Sequence, residues 1–394
     1  MENILTGSLF LDDEFEVPNL SENESDLSLT PDQFADLIVA PSDWTVGTIY
    51  SQIGRQIDLD PSFQRRDVWS PSAKTKFIES LFLGIPIPQI LLSVNAEKKG
   101  SHIVLDGKQR LLTIFEFLSG KTLDGKVFKL KGLRILTALE GKTWEEVRLI
   151  DDMEDQFLNE TVRTTIVKNW KSQEVLYEIF YRLNSGSVQL SPMELRMALY
   201  PGDFLKWVVE WTETVGPLHQ LLRKRRPDKR MTDVELVVRH LSYSMSDIPY
   251  GGDLRKYLDE FCVSANANFD QKIGIFSGRL VAMNRAISLG MEIFAENTFC
   301  RKFTETGYES RFNRALFDVL AGSLCNKEFF DFAASNQQKV KEAFEALCLE
   351  NSDFIRSVET STKNVEPTLT RFSAWYDRVQ AISQVQLALP IIRP

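Results

Sequence analysis

The sequence predicts an α+β fold, with a small mixed sheet over residues 44–170 followed by a mainly helical region over 171–380. Two observations predict it. Short apolar runs of strand type, Pro88–Val94 and Ile103–Leu105, flank a turn at Lys98-Lys99-Gly100 and read as a hairpin. After Trp170 the apolar period becomes helical, through Val175, Leu176, Ile179, Phe180 and Leu183, and it stays helical from Met193 to about Phe354. Residues 1–43 read as an acidic, largely disordered arm, and 381–394 as a C-terminal tail.

In chain order, Thr30-Pro31-Asp32-Gln33 reads as a capping box with proline at the first helical position, opening a short helix to about Ile38. Trp44–Tyr50 leads into a second short element, and Ile57–Asp60 alternates as a strand does. Ser70-Pro71 starts a helix with Phe77, Ile78, Leu81 and Phe82 on one side, stopped by Gly84 and Pro86. Residues 122–170 form an irregular insertion, with strands expected at Lys126–Leu130 and Thr164–Val167 and a helix around Trp144–Asp155. Ser191-Pro192-Met193-Glu194 is another capping box.

The chain has 394 residues and a hydrophobic content of 43%, enough for a large core in two domains or subdomains. No apolar run reaches membrane-spanning length, and the N-terminus lacks a basic signal region, so a cytoplasmic location is expected with no membrane partner. The cysteines are far apart, without a C-x-x-C pair, and read as reduced buried thiols. The histidines (His102, His219, His240) form no metal-binding spacing. The net charge of −9 is unevenly placed: residues 1–54 hold eleven acids and no Lys or Arg, so the body is close to neutral. The arm is either a solubilising tail or a cover for a basic surface.

The segment His102–Arg110 carries the most chemistry. An apolar strand meets a polar turn, and a helical pattern follows at once. Such a junction points backbone N–H groups and the positive end of a helix dipole at whatever anion binds there. Gly107 permits close approach, Lys108 and Arg110 add charge, Gln109 can donate or accept, and Asp106 could hold a metal ion. The plainer alternative is an ordinary turn with solvated bases. A second candidate is Gln64-Arg65-Arg66, after one strand and before a helix, where arginine forks suit phosphate oxygens. A third is Arg182, Asn184 and Ser185 at the end of a helix, where Asn and the following Gly186 also serve simply to terminate it. The fourth is a basic run of Arg223, Lys224, Arg225, Arg226, Lys229 and Arg230, ahead of an expected cap at Thr232 with Glu235. It could attract a nucleic-acid backbone or the acidic arm, or be a solvated linker.

These stretches together resemble the DGQQR-motif domain at the N-terminus of GmrSD-type modification-dependent restriction enzymes, the GmrS-like domain. The matching residues are Pro61–Trp69, Phe77–Pro88, Leu105–Thr113 and Phe180–Gly186, in that order, with looser echoes at Lys229–Glu235, Leu254–Leu258, Arg311–Ala315 and Arg371–Trp375. The resemblance implies a ParB/sulfiredoxin-like core whose turn binds nucleotide phosphates. It further implies a Mg²⁺-dependent nucleoside triphosphatase within bacterial restriction and anti-phage defence. Asp106, Arg110 and Gln64 would then be catalytic, with Asp106 on the metal. Gly107, Lys108, Gln109, Arg110, Arg65, Arg66, Arg182, Asn184 and Ser185 would bind nucleotide. Lys108 departs from the family pattern, which has Gln there; a lysine is a point charge without the amide's paired contacts. The histidine-centred HNH nuclease domain that follows in the full enzymes has no counterpart motif in this sequence, so a separate nuclease or defence subunit is an expected partner. The alternative is a DNA-binding regulator, without catalysis, switched by its nucleotide.

Overall fold

A computed structural model describes residues 29–57, 59, 69–96, 98–183, 191–245, 247–360, 362 and 364–393. The chain forms two compact units that divide between Leu199 and Tyr200.

The first unit opens with a single 3-10 turn, Pro31–Gln33, in which the Gln33 side chain accepts the Thr30 N–H at 2.8 Å. The capping box is present, but the expected helix to Ile38 is not: Ile38 already belongs to β1 (Ile38–Pro41), paired in the sheet. Then come β2 (Trp44–Thr45), α1 (Val46–Gln52), α2 (Pro71–Phe82), β3 (Ile90–Val94), β4 (His102–Asp106) and α3 (Lys108–Ser119). After these follow α4 (Trp144–Val147), α5 (Met153–Asn159), β5 (Thr161–Val162), β6 (Thr164–Lys168), α6 (Gln173–Leu183) and α7 (Pro192–Leu199). The main sheet has the order β1-β6-β3-β4; β3 runs parallel to β6 and antiparallel to β4, so the sheet is mixed as expected.

Local chemistry explains the helix starts. The Ser70 hydroxyl accepts the Ala73 N–H at 3.2 Å, with Pro71 at the first position of α2. At α7 the Glu194 carboxylate accepts the Ser191 N–H and the Ser191 hydroxyl accepts the Glu194 N–H, the reciprocal pair the sequence predicts. The core between α2, α3 and the insertion is aromatic. Phe117, fully buried, meets Phe82, Phe128, Trp144 and Phe157 with ring centroids 5.3 to 6.2 Å apart.

Three expected elements differ. Lys126–Leu130 is not a strand: Val127 makes only an isolated bridge to Lys121, because the buried Phe128 and Leu130 bond to the carbonyls of Gly120 and Lys142 instead of a partner strand. The helix expected over Trp144–Asp155 is two helices, broken where Asp152 takes a left-handed φ of 66°. Ile57 forms isolated bridges to Ile53 and His102, while Asp58 and Asp60 lie outside the described residues.

The second unit is helical: α8 (Asp203–Thr212), α9 (Pro217–Leu221), α10 (Thr232–Met245), α11 (Leu254–Ala267), α12 (Phe269–Phe294), α13 (Arg314–Leu324), α14 (Lys327–Ser335), α15 (Gln337–Glu350), α16 (Ser352–Glu359) and α17 (Val365–Ser383). A two-residue hairpin, β7 (Phe303–Thr304) with β8 (Gly307–Tyr308), is its one antiparallel pair among the described residues. Among the described residues, no helix is long and apolar enough to cross a membrane.

Candidate functional site

The junction between β4 and α3 is built as its residue types suggest. Gly107 is the N-cap of α3, in the left-handed region at φ 95°, and offers no capping side chain. The first α3 ladder bond that closes on it runs from the Leu111 N–H to the Gly107 carbonyl at 3.0 Å. A helix start without a side-chain cap leaves first-turn amides for another acceptor. A Cβ on Gly107 would stand 3.1 Å from Ile90 Cγ1 and 3.2 Å from Arg110 Nη2, so the position is tight as well as left-handed.

Asp106 is fixed on both oxygens. Oδ1 accepts the Gly107 N–H at 2.7 Å, and Oδ2 accepts Arg110 Nη2 at 2.9 Å. The same Nη2 donates to the Gln89 carbonyl at 3.1 Å, and the Gln89 amide oxygen accepts the Thr165 hydroxyl at 2.9 Å, tying the turn to β6. Opposite this point the β3–β4 register slips: Leu91 faces Asp106 but Leu92 faces Val104, leaving Leu105 as an extra residue. A bulge of this kind re-aims the side chain that follows it.

This geometry changes the role expected of Arg110. The residue is only 5% exposed and its guanidinium is engaged by Asp106 and Gln89, so it braces the turn from inside. Lys108 is half-buried. Gln109 accepts the Trp69 N–H through Oε1 at 3.3 Å, and its carbonyl accepts the Thr113 hydroxyl at 2.7 Å. Trp69 closes the Pro61–Trp69 motif, and Gln89 is the participant the sequence did not suggest. Gln89 acts through a backbone carbonyl, which carries no residue signature.

The other candidates are placed less fully. Gln64, Arg65, Arg66, Asn184 and Ser185 lie outside the described residues. Arg182, on the exposed side of α6, pairs with Glu178 one turn earlier at 2.5 Å. Among the described residues, no group of three or more His, Cys, Asp or Glu is placed to hold a metal ion. Asp106 therefore fits Mg²⁺ only as a lone carboxylate beside ligand phosphates and water, a mode this ion commonly uses.

The basic run belongs to the second unit and is ordered by acids beneath it. Asp228 is buried; its Oδ1 accepts the N–H groups of Arg230 and Thr232 at 3.0 and 3.2 Å, and its own N–H donates to Asp233 Oδ2 at 3.0 Å. His219 Nε2 lies 3.0 Å from the same Asp233 oxygen, while its Nδ1 accepts the Gly216 N–H. Thr232 is thus the first residue of α10 and receives a cap from Asp228, where the sequence suggested that Thr232 itself was the cap. Arg223, Lys224, Arg225, Arg226 and Lys229 are exposed, and Lys224 also pairs with Asp228 at 3.3 Å.

The first unit is a mixed-sheet domain with a strand–glycine–helix turn. Residues 46–201 match the family described as GmrSD restriction endonuclease, N-terminal domain. The match supports the resemblance read from the motifs and gives the segment a DNA-restriction context. The downstream echoes at Lys229–Glu235, Leu254–Leu258, Arg311–Ala315 and Arg371–Trp375 lie beyond it. No curated protein and no solved structure was found to match the chain.

Proposed function

We propose that the first unit binds a nucleoside triphosphate with Mg²⁺ at the Asp106–Arg110 turn and hydrolyses it, as the nucleotide-dependent component of a bacterial restriction and anti-phage system. The observation that supports this most is the uncapped start of α3 on a left-handed glycine, directly after a strand. Its first-turn amides and the helix dipole would receive phosphate oxygens. Lys108 would add a point charge there. Arg110 would act as a positioning residue that holds the Asp106 carboxylate, leaving lone pairs on Asp106 to a phosphate-borne Mg²⁺ or a water. Mg²⁺ would supply charge neutralisation across the phosphates.

Gln64, Arg65 and Arg66 would complete the phosphate contacts. Trp69, the last residue of the same motif, is bonded to Gln109. Asn184 and Ser185 would help orient the ligand, with Arg182 nearby on α6. DNA cleavage would fall to a separate nuclease subunit.

Thermal-shift titration of the whole chain with ATP, GTP, CTP and UTP plus Mg²⁺ tests the reading. A ligand at 100 times its Kd stabilises by about 2.7 kcal/mol. One nucleotide should raise the midpoint and release phosphate, and Lys108→Ala should weaken both effects. Flat curves with all four would refute it.

A second reading, a DNA-binding regulator switched by nucleotide, is favoured by the basic run that Asp228 holds on the surface. DNA binding without phosphate release would select it.

A further inference from the structure

The second unit holds a cavity of about 330 Å³ that no part of the proposed nucleotide site uses. Its rings are Tyr243, Phe372 and Tyr376. Its far wall is the extended segment Leu387–Ile391, pinned where the Tyr250 N–H donates to the Ile391 carbonyl at 2.8 Å and the Arg393 N–H to the Tyr250 carbonyl at 3.0 Å.

The charges around this cavity do not balance. Asp318, on the wall, is the carboxylate for two buried arginines. Arg239 grips it through Nε and Nη2, both at 2.6 Å, and Arg371 Nη2 stands 3.8 Å away. Arg371 donates through Nη1 to the Thr362 carbonyl at 2.5 Å, but its buried Nε has no hydrogen-bond partner among the described residues. Arg279 is the guanidinium on the cavity wall itself; it is exposed and makes no ion pair among the described residues. Other polar groups in the wall offset none of this. Burial, with Arg279 close by, pushes the His240 imidazole down to about 4, so it is neutral at physiological pH. Burial pushes the Cys325 thiol up to about 12, so it carries no negative charge either. Buried Glu235 adds negative charge toward Arg239 but is itself paired with Arg314 at 3.3 Å, so the bases Arg239, Arg371 and Arg314 still outnumber the acids Asp318 and Glu235, and an uncompensated buried charge is costly.

We infer that this cavity is a binding site for a small planar ring compound bearing an anionic group. The aromatic side chains receive the ring, by stacking or edge contacts. Arg279 receives the anionic group at the wall, and the ligand's charge offsets the excess of Arg239 and Arg371 behind it. The volume lies at the small end of the range for small-molecule sites. Nucleoside monophosphates and aromatic carboxylates share this chemistry.

Isothermal titration of the full chain carrying Lys108→Glu, which disables the proposed triphosphate turn, keeps the two sites apart. The probes are AMP, GMP, CMP, UMP, 4-hydroxybenzoate and inorganic phosphate. At least one ring compound should saturate the cavity and bind more tightly than inorganic phosphate; the nucleotide and benzoate arms show which source supplies the ring. Adding Arg279→Glu should weaken it about tenfold or more, and Arg279→Lys should restore part of the affinity. Arg279 is exposed, so these variants do not disturb the core. No saturation by any ring probe up to about 1 mM, affinity no better than inorganic phosphate, or affinity indifferent to Arg279→Glu overturns the inference. Failure of the triphosphate titration on the parent chain leaves this result untouched.

Discussion

Arg110 and Asp106, one helical turn apart across Gly107, form an ion pair at 2.9 Å in which the arginine is buried and the aspartate side chain is 26% exposed. The inner partner is fixed by the Gln89 carbonyl, so the outer carboxylate is held in place. A motif that reads as a row of ligand-binding side chains is thus partly a brace and partly a face.

Removing the brace should loosen the turn. Arg110→Ala strips Asp106 of its cation and Gln89 of its donor, with an expected loss of about 1–3 kcal/mol. Urea unfolding measures it. Lys108→Ala should cost less stability than Arg110→Ala, because Lys108 is only half-buried while Arg110 is buried. Equal destabilisation by both variants would contradict this division of roles.

Gly107→Ala combines a left-handed backbone with close contacts to Ile90 and Arg110. Such strain costs about 1–3 kcal/mol. A variant as stable as the parent would mean the turn can relax to another conformation.

Glu79 gives a pH signature. Burial raises its pKa, but the backbone N–H groups of Leu136, Ile135 and Arg134 outweigh burial and hold it below the ordinary 4.5. A depressed carboxyl pKa contributes stability that is present above the unfolded-state value and is lost as pH falls through the folded-state value. Glu79→Gln should therefore destabilise by about 1–2 kcal/mol at pH 7. The gap to the parent should close as the pH is lowered below 4.5. Thermal midpoints measured from pH 3 to 7 test this, and a constant gap would refute it.

The basic run makes a separate prediction. If Arg225 and Arg226 touch DNA phosphates, replacing both with alanine should lower the slope of log K against log salt by about 2. An unchanged slope would mark the run as a solvated linker.

Much of this was legible in the sequence. The mixed sheet, the hairpin of β3 and β4, the capping boxes at Thr30 and Ser191 and the junction at Gly107 all rest on local signals: alternation, turn glycines and side chains that satisfy nearby backbone. The misreadings also have local causes. Ile38 followed a good helix start, but its apolar neighbours pair with β6, and cross-strand pairing outweighs one turn of helix propensity. Lys126–Leu130 has strand-like alternation, yet burial of Phe128 and Leu130 in the core fixes it as irregular chain.

The sequence by itself determined the starts of α2, α3 and α7 and the β3–β4 hairpin, and that a glycine-centred, charged turn joins β4 to α3. Only the tertiary structure decided that Arg110 faces inward, that a bulge re-aims Asp106, and that Arg239, Arg371 and Asp318 gather beside a cavity. Hydrogen bonding near a turn is a short-range matter that neighbouring residue types record. Burial of a charge depends on partners from distant parts of the chain: Asp318 and Arg239 meet across 79 positions, and no local pattern encodes that encounter.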